Sequence, residues 1–115
     1  MKPTKPKNMK EISAADLNDI LANAVLPTLV DIYTPHCGPC RSLAPVLDDL
    51  AIEFAGKLDF VKINASADDA SMKACGKLGV RNVPALIIFK GGTEVARRIG
   101  APSKTELQSW IALHL

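Results

Sequence analysis

Apolar residues recur every three or four positions in three parts of the chain, which is the spacing of one buried helix face. The first face follows Ser13, which stands three positions before Asp16 in capping-box spacing, and Pro27 ends it. The second covers residues 38–54 and contains Pro45, which predicts a kink. The predicted faces are Leu17, Ile20, Leu21, Ala24 and Val25; Leu43, Val46, Leu47, Leu50, Ala51 and Phe54; and, after a capping box at Ser103 and Glu106, Leu107, Trp110 and Ile111.

Continuous apolar runs alternate with these helices and predict strands. The run at residues 29–33 surrounds Asp31 and is typical of a strand covered on both faces, as is the run at 85–89. Gly91 and Gly92 form a hairpin turn signal. The other predicted elements are an edge strand at 9–12, a strand at 58–63, a short helix near 70–77 and a returning strand at 94–99. This order predicts an α/β fold in which a mixed sheet carries helices on both faces and ends in an antiparallel hairpin.

Length and composition are those of one globular domain, with 115 residues of which 48% are hydrophobic and 23% charged. The net charge of +2 is uneven, because the first ten residues carry four lysines and no acid. Pro3 and Pro6 disfavour a helix there. We therefore predict a basic, flexible N-terminal tail over residues 1–7 and one domain over 8–115, with a functional basic arm as the alternative for the tail. A charge of +2 is too small to indicate a nucleic-acid partner.

No segment has the pattern of a targeting or membrane-spanning sequence. The basic start is followed by acidic and amide residues instead of the ~7–15 apolar residues of a secretory signal. No apolar run approaches the ~18 residues of a membrane span. This predicts a cytoplasmic protein with no membrane partner, unless an export signal has been removed.

The candidate chemistry lies at Cys37 and Cys40, where a predicted strand ends and a predicted helix begins. The unpaired amides and the dipole of a helix N-terminus favour an anion, so Cys37 should be a better thiolate than a free cysteine. Cys40 lies one turn deeper, where it should be less exposed and could close a disulfide with Cys37. Gly38 and Pro39 keep the intervening turn tight.

Two other uses of these cysteines fit the chain poorly. A zinc site needs two more ligands, and His36, His114 and Cys75 offer no paired spacing, so we expect no metal. A cysteine hydrolase with His36 as its base is disfavoured, because adjacent residues seldom point at each other and Cys40 would compete for the nucleophile. A CxxC motif within a βαβ pattern instead indicates redox chemistry.

The segment Cys-Gly-Pro-Cys at 37–40 resembles the active-site motif of the thioredoxin family. Further matches are Asp31 six residues before Cys37, Pro45, Lys62, the stretch at 79–84 and Gly100. The resemblance covers residues 8–115. It implies a thioredoxin fold, with a central mixed sheet of about five strands flanked by about four helices.

The resemblance also implies a role for each matched residue. Cys37 would be the nucleophile and Cys40 the resolving cysteine, within a catalytic motif that includes Gly38 and Pro39. Asp31 lies in an apolar run, where burial raises its pKa, and would be the buried proton acceptor and donor; the alternative is an acid satisfied by the supporting residue Lys62. The remaining implied roles concern substrate binding: a cis bond at Pro84 that frees the backbone of Val83 to pair with an extended substrate, and Gly100 in the substrate groove.

Two residues near the motif depart from the family pattern, and one cysteine lies outside the motif. His36 replaces a tryptophan before the first cysteine, and Tyr33 replaces another aromatic residue. A histidine cation beside Cys37 would favour the thiolate and make the disulfide more oxidising, and His36 would contribute to substrate binding; the alternative is a solvent-facing histidine of little effect. Cys75 is a third thiol, available for glutathionylation or an intermolecular disulfide, or inert in the core.

These observations predict a protein-disulfide reductase that needs no bound cofactor and works as a monomer. Its electrons would come from a thioredoxin reductase and pass to disulfide-containing target proteins. Two alternatives stay open: a thioredoxin-like oxidase or isomerase tuned by His36, and a non-catalytic binding module with a thioredoxin fold.

Overall fold

The computed structural model describes residues 9–115 and contains one five-stranded sheet with four α-helices. The predicted basic tail at 1–7 lies outside the described residues, so the tail and the domain boundary remain predictions. The elements, in chain order, are β1 Met9–Glu11, a 3-10 turn Ala14–Asp16, α1 Leu17–Asn23, β2 Thr28–Tyr33, α2 Gly38–Glu53, β3 Asp59–Asn64, α3 Asp69–Lys77, β4 Ala85–Lys90, β5 Thr93–Ile99 and α4 Lys104–Leu113.

The sheet has the strand order β1-β3-β2-β4-β5, and β2 lies at its centre. β3 runs parallel to both β1 and β2, whereas β4 runs antiparallel to β2 and to β5. The sheet is therefore mixed and ends in an antiparallel hairpin, as predicted. The first five residues of the central strand β2 are buried, so this strand is covered on both faces. This explains the continuous apolar run.

Helices cover both faces of the sheet, because side chains alternate along each strand. Leu29 packs on the face covered by α2 and α4, whereas Val30 and Ile32 pack on the face covered by α1 and α3. The α2 and α4 side chains of the first core are Leu43, Leu47, Leu50, Ala51, Leu107 and Ile111. Asp31 and Tyr33 follow Leu29 at intervals of two, which places them on the same face as α2.

The first helix is shorter than the apolar pattern predicts. Ser13 accepts a hydrogen bond from the amide of Ala15 and caps a 3-10 turn, so it forms no capping box with Asp16. α1 ends at Asn23, and Val25 is 95% exposed instead of buried. The helix ends because Ala24 takes extended backbone, with a ψ of 130°; Pro27 restricts only Leu26 directly.

The other helices begin and end close to the predicted positions. α4 opens on the predicted capping box, in which Ser103 and Glu106 each accept a hydrogen bond from the other's amide. α2 is a single helix that contains Pro45, and the kink there stays a prediction. Across the described part of the chain, every helix is too short or too polar to cross a membrane.

Candidate active site

The N-terminus of α2 is built around Cys37, which is the residue that caps the helix. The amide of Cys40 donates a hydrogen bond to the Cys37 sulfur at 3.1 Å, and the amide of Arg41 donates to the Cys37 carbonyl at 3.1 Å. The sulfur thus occupies the position where helix amides and the helix dipole stabilise negative charge. This arrangement favours the thiolate form of Cys37 when the pair is reduced.

Cys37 and Cys40 form a disulfide, with their Cα atoms 5.2 Å apart. The two sulfurs differ in access, because Cys37 is half-buried whereas Cys40 is only 6% exposed. Gly38 and Pro39 are exposed on the first turn between them. An incoming group can therefore reach Cys37 but not Cys40.

A second chain segment borders Cys37 at the Val83–Pro84 bond, which is cis as the resemblance implies. The Cys37 sulfur lies 3.7 Å from the carbonyl oxygen of Val83. The amide of Gly100 donates a hydrogen bond to the carbonyl of Pro84 at 2.9 Å, and Gly100 has a φ of 97°. The structure thus places Val83 against the Cys37 sulfur, and Gly100 is joined to the same segment through the buried Pro84.

Asp31 lies in the sheet beneath α2 and is 6% exposed. Its Oδ1 atom has no hydrogen-bond partner within residues 9–115. Burial raises the pKa of Asp31 from 3.8 to about 7, and the positive charge of Lys62, its register partner on β3, opposes that rise. A carboxyl group with this pKa can both accept and release a proton near neutral pH.

His36 is exposed on the turn that precedes Cys37. The turn is closed by a hydrogen bond from the amide of Cys37 to the carbonyl of Thr34 at 3.3 Å. The predicted contribution of His36 to substrate binding therefore concerns a side chain at the surface, next to the reachable sulfur.

The sequence pattern did not identify one contact at the edge of this site. The hydroxyl of Tyr33 donates a hydrogen bond to the carboxylate of Glu11, and the Lys62 ammonium lies 5.8 Å from the centre of the Tyr33 ring. Burial and the Glu11 carboxylate raise the pKa of Tyr33 to about 12. The sequence shows that Tyr33 stands where the family has another aromatic residue. It does not show the partner of Tyr33, because Glu11 is 22 positions away on another strand.

Cys75 is buried at 3% exposure in the core between the sheet and the α1 and α3 helices. Burial raises the pKa of its thiol, which disfavours the thiolate. It lines a cavity of about 270 Å³ that also reaches Thr34 and Val83 near the active site. Among the described residues, no three His, Cys, Asp or Glu side chains are grouped closely enough to hold a metal ion.

The chain is similar to known proteins of one family. A family model described as Thioredoxin matches residues 8–113. A thioredoxin of Haemophilus influenzae is 42% identical over 104 residues, which are 90% of this chain and 94% of that protein. A thioredoxin of Synechocystis is 38% identical over 91% of this chain and 95% of that protein, and one of Rhodospirillum rubrum is 40% identical over 90% and 96%.

Proposed function

Because the chain belongs to the thioredoxin family and is a thiol-disulfide oxidoreductase that reduces protein disulfides, we propose a role for each residue of its site. Cys37 is the nucleophile and Cys40 the resolving cysteine, with Gly38 and Pro39 completing the motif. The observation that carries this assignment is the unequal access of the two sulfurs at the start of α2.

The reaction begins with both cysteines reduced. The Cys37 thiolate attacks one sulfur of a substrate disulfide, so that a mixed disulfide forms and one substrate thiolate leaves. Cys40 then loses its proton and attacks the Cys37 sulfur, which breaks the mixed disulfide and releases the second substrate thiolate. Two electrons have passed to the substrate, and the Cys37–Cys40 disulfide remains.

Asp31 accepts the proton of Cys40 in the second step. Its burial on the α2 face of the sheet and its pKa of about 7 support this role, since the carboxylate form is available near neutral pH. Lys62 supports Asp31 by lowering the cost of its negative charge. The alternative is that Asp31 is only a structural acid, whose buried carboxylate Lys62 satisfies. This is disfavoured because Asp31 Oδ1 has no hydrogen-bond partner in the described part of the chain.

Substrate proteins bind in extended form along Val83, Pro84 and Gly100. Strand addition of this kind uses backbone hydrogen bonds, so it accepts many different target sequences. The contact between the Cys37 sulfur and the Val83 carbonyl supports this location, because a strand paired with Val83 passes next to the reacting sulfur. His36 forms part of the surrounding surface and contributes to the choice of partner.

The electron donor is a thioredoxin reductase, and the targets are disulfide-containing proteins. The protein needs no bound cofactor, because the cysteine pair itself carries the two electrons. It acts as a monomer in the cytoplasm, where a disulfide reductase has a supply of electrons. These partners and this location are consistent with the thioredoxins that the chain resembles.

Insulin reduction by dithiothreitol tests the activity. The wild-type protein should accelerate insulin reduction well above the dithiothreitol background, and C37S should give the background rate. A wild-type rate equal to the background would instead indicate the non-catalytic binding module.

The redox potential of the Cys37–Cys40 pair distinguishes a reductase from an oxidase or isomerase. The latter deserves testing because His36 stands exposed beside Cys37, where a positive charge would favour the thiolate. Equilibration with glutathione should give a potential for the pair below that of the cytosolic glutathione pool. The potential of that pool is about −220 to −260 mV when measured in cell extracts. A potential above this range would support the oxidase.

A further inference from the structure

Three charged residues form a row across adjacent strands at the edge of the active site. Glu11 on β1 is in register with Lys62 on β3, and Lys62 is in register with Asp31 on β2. Residues in register on parallel strands point to the same face, and each strand lies ~4.8 Å from the next. The Lys62 side chain therefore begins between two acids that are about 9.6 Å apart.

Tyr33 reaches across this row. It lies two residues after Asp31 on β2 and so faces the same side of the sheet, yet its hydroxyl donates a hydrogen bond to Glu11 on β1. The ring therefore spans β3, and the Lys62 ammonium lies 5.8 Å from its centre. Glu11 therefore lies on the side of Lys62 away from Asp31, while the Tyr33 ring covers the ammonium; no ion pair joins Glu11 to Lys62 among residues 9–115, so the carboxylate attracts the ammonium through space.

Lys62 acts on Asp31 only through space. Asp31 Oδ1 has no hydrogen-bond partner among residues 9–115, although Lys62 is its register neighbour. The other titratable groups on this face are Tyr33 on the same strand as Asp31 and Glu11 beyond Lys62; Cys40 on α2 is held in the disulfide and does not titrate, and β4 presents the apolar Leu86. The position of one ammonium group thus decides how much positive charge Asp31 experiences.

We propose that Glu11 is a positioning residue for the thiol chemistry. The Glu11 carboxylate, anchored by Tyr33, holds the Lys62 ammonium away from Asp31. This inference deepens the proposed function, since it matters for catalysis only if Asp31 accepts the Cys40 proton. When Glu11 loses its charge, Lys62 turns toward Asp31 and stabilises the carboxylate. Asp31 then releases its proton at lower pH.

The titration of Asp31, followed by carboxyl ¹³C NMR in the oxidised protein, tests the proposal without any assay of activity. Glu11→Gln should lower the midpoint of Asp31 at least twice as far as the loss of a charge alone, which at about 9.6 Å gives ~0.3 pH unit at a dielectric constant of ~80 and ~1.3 at ~20. Asp59→Asn is the matched control, because it removes a charge from β3 at a comparable distance but on the other face of the sheet. It measures the effect of a lost charge alone, so the Glu11→Gln shift should be at least twice the Asp59→Asn shift.

Two further variants separate positioning from a distant charge. Tyr33→Phe removes only the hydroxyl that anchors Glu11, and it should lower the Asp31 midpoint less than Glu11→Gln does. In a Lys62→Met background, Glu11→Gln should shift the midpoint no further than Asp59→Asn does. Equal shifts in Glu11→Gln and Asp59→Asn, or an unchanged Glu11→Gln shift without Lys62, would overturn the proposal.

Kinetics then distinguish this inference from the proposed role of Asp31. The pH profile for resolution of the mixed disulfide should move with the Asp31 midpoint in Glu11→Gln and flatten in Asp31→Asn. A profile that Asp31→Asn leaves unchanged refutes the role of Asp31 as proton acceptor. The NMR midpoints still decide whether Glu11 positions Lys62.

Discussion

The sulfur of Cys37 lies 3.7 Å from the carbonyl oxygen of Val83, although the two residues are 46 positions apart. The contact joins the start of α2 to the segment that leads into β4. Val83 is half-buried, precedes the cis bond to Pro84 and contacts the reachable sulfur. The proposed nucleophile Cys37 and the proposed substrate-binding residue Val83 are therefore neighbours in the fold.

The unequal access of the two sulfurs predicts different outcomes for the two cysteine substitutions. C37S should reduce insulin only at the dithiothreitol background, because no nucleophile remains within reach of a substrate. C40S should form the mixed disulfide through Cys37 but fail to resolve it, so mass spectrometry should detect a protein–substrate adduct.

The remaining cysteine provides the matched control for that experiment. Cys75 is buried in the core on the other face of the sheet, so C75S should keep most of the reductase activity and form no adduct. An adduct through Cys75 in C37S would contradict the assignment of Cys37 as the nucleophile.

The exposed position of His36 predicts that His36→Trp changes partner kinetics more than stability. The side chain is outside the core, so the free energy of unfolding should change by less than about 0.5 kcal/mol. A flat apolar surface next to Cys37 should alter the rates with the reductase and with insulin several-fold. Unchanged kinetics in both reactions between pH 5.5 and 8 would show that His36 has no special role.

The hydrogen bond from Gly100 to Pro84 predicts a functional effect of Gly100→Ala. Both Gly100 and Gly56 have positive φ and open space where a Cβ would lie, so alanine at either position should cost about 1 kcal/mol of stability. Gly56 precedes β3, at the opposite end of the sheet from Cys37. Only Gly100→Ala should also slow insulin reduction, and equal rates in the two variants would remove Gly100 from the substrate groove.

Much of the fold could be predicted because its signals are local. The apolar run around Asp31 identified the central strand, and the pair Ser103 and Glu106 marked the start of α4. The end of α1 was predicted wrongly, since Ala24 and Val25 continue the apolar spacing whereas Ala24 already takes extended backbone. Periodicity does not reveal where backbone geometry ends a helix.

The site shows the same division between local and distant signals. Cys37 and Cys40 are visible in the sequence because their spacing and their place before a helix are local. The contact between Tyr33 and Glu11 depends on the order β1-β3-β2, which brings together residues from strands that are not adjacent in the chain. Gly100 and Pro84 were identified as site residues only through the family resemblance, because no local pattern relates a turn glycine to a proline before β4.

The raised pKa of Asp31 predicts how stability depends on pH. The folded state binds the Asp31 proton more tightly than the unfolded state, so the free energy of unfolding should fall as pH rises from about 4 to 7. A pKa of about 7 instead of 3.8 corresponds to roughly 4 kcal/mol at most. Asp31→Asn removes this titration and should be roughly 2–4 kcal/mol more stable than wild type at pH 8, but within about 1 kcal/mol at pH 4. Urea unfolding of the oxidised proteins at both pH values measures the difference, and an equal gain at pH 4 and pH 8 would show that ionisation of Asp31 is not its cause.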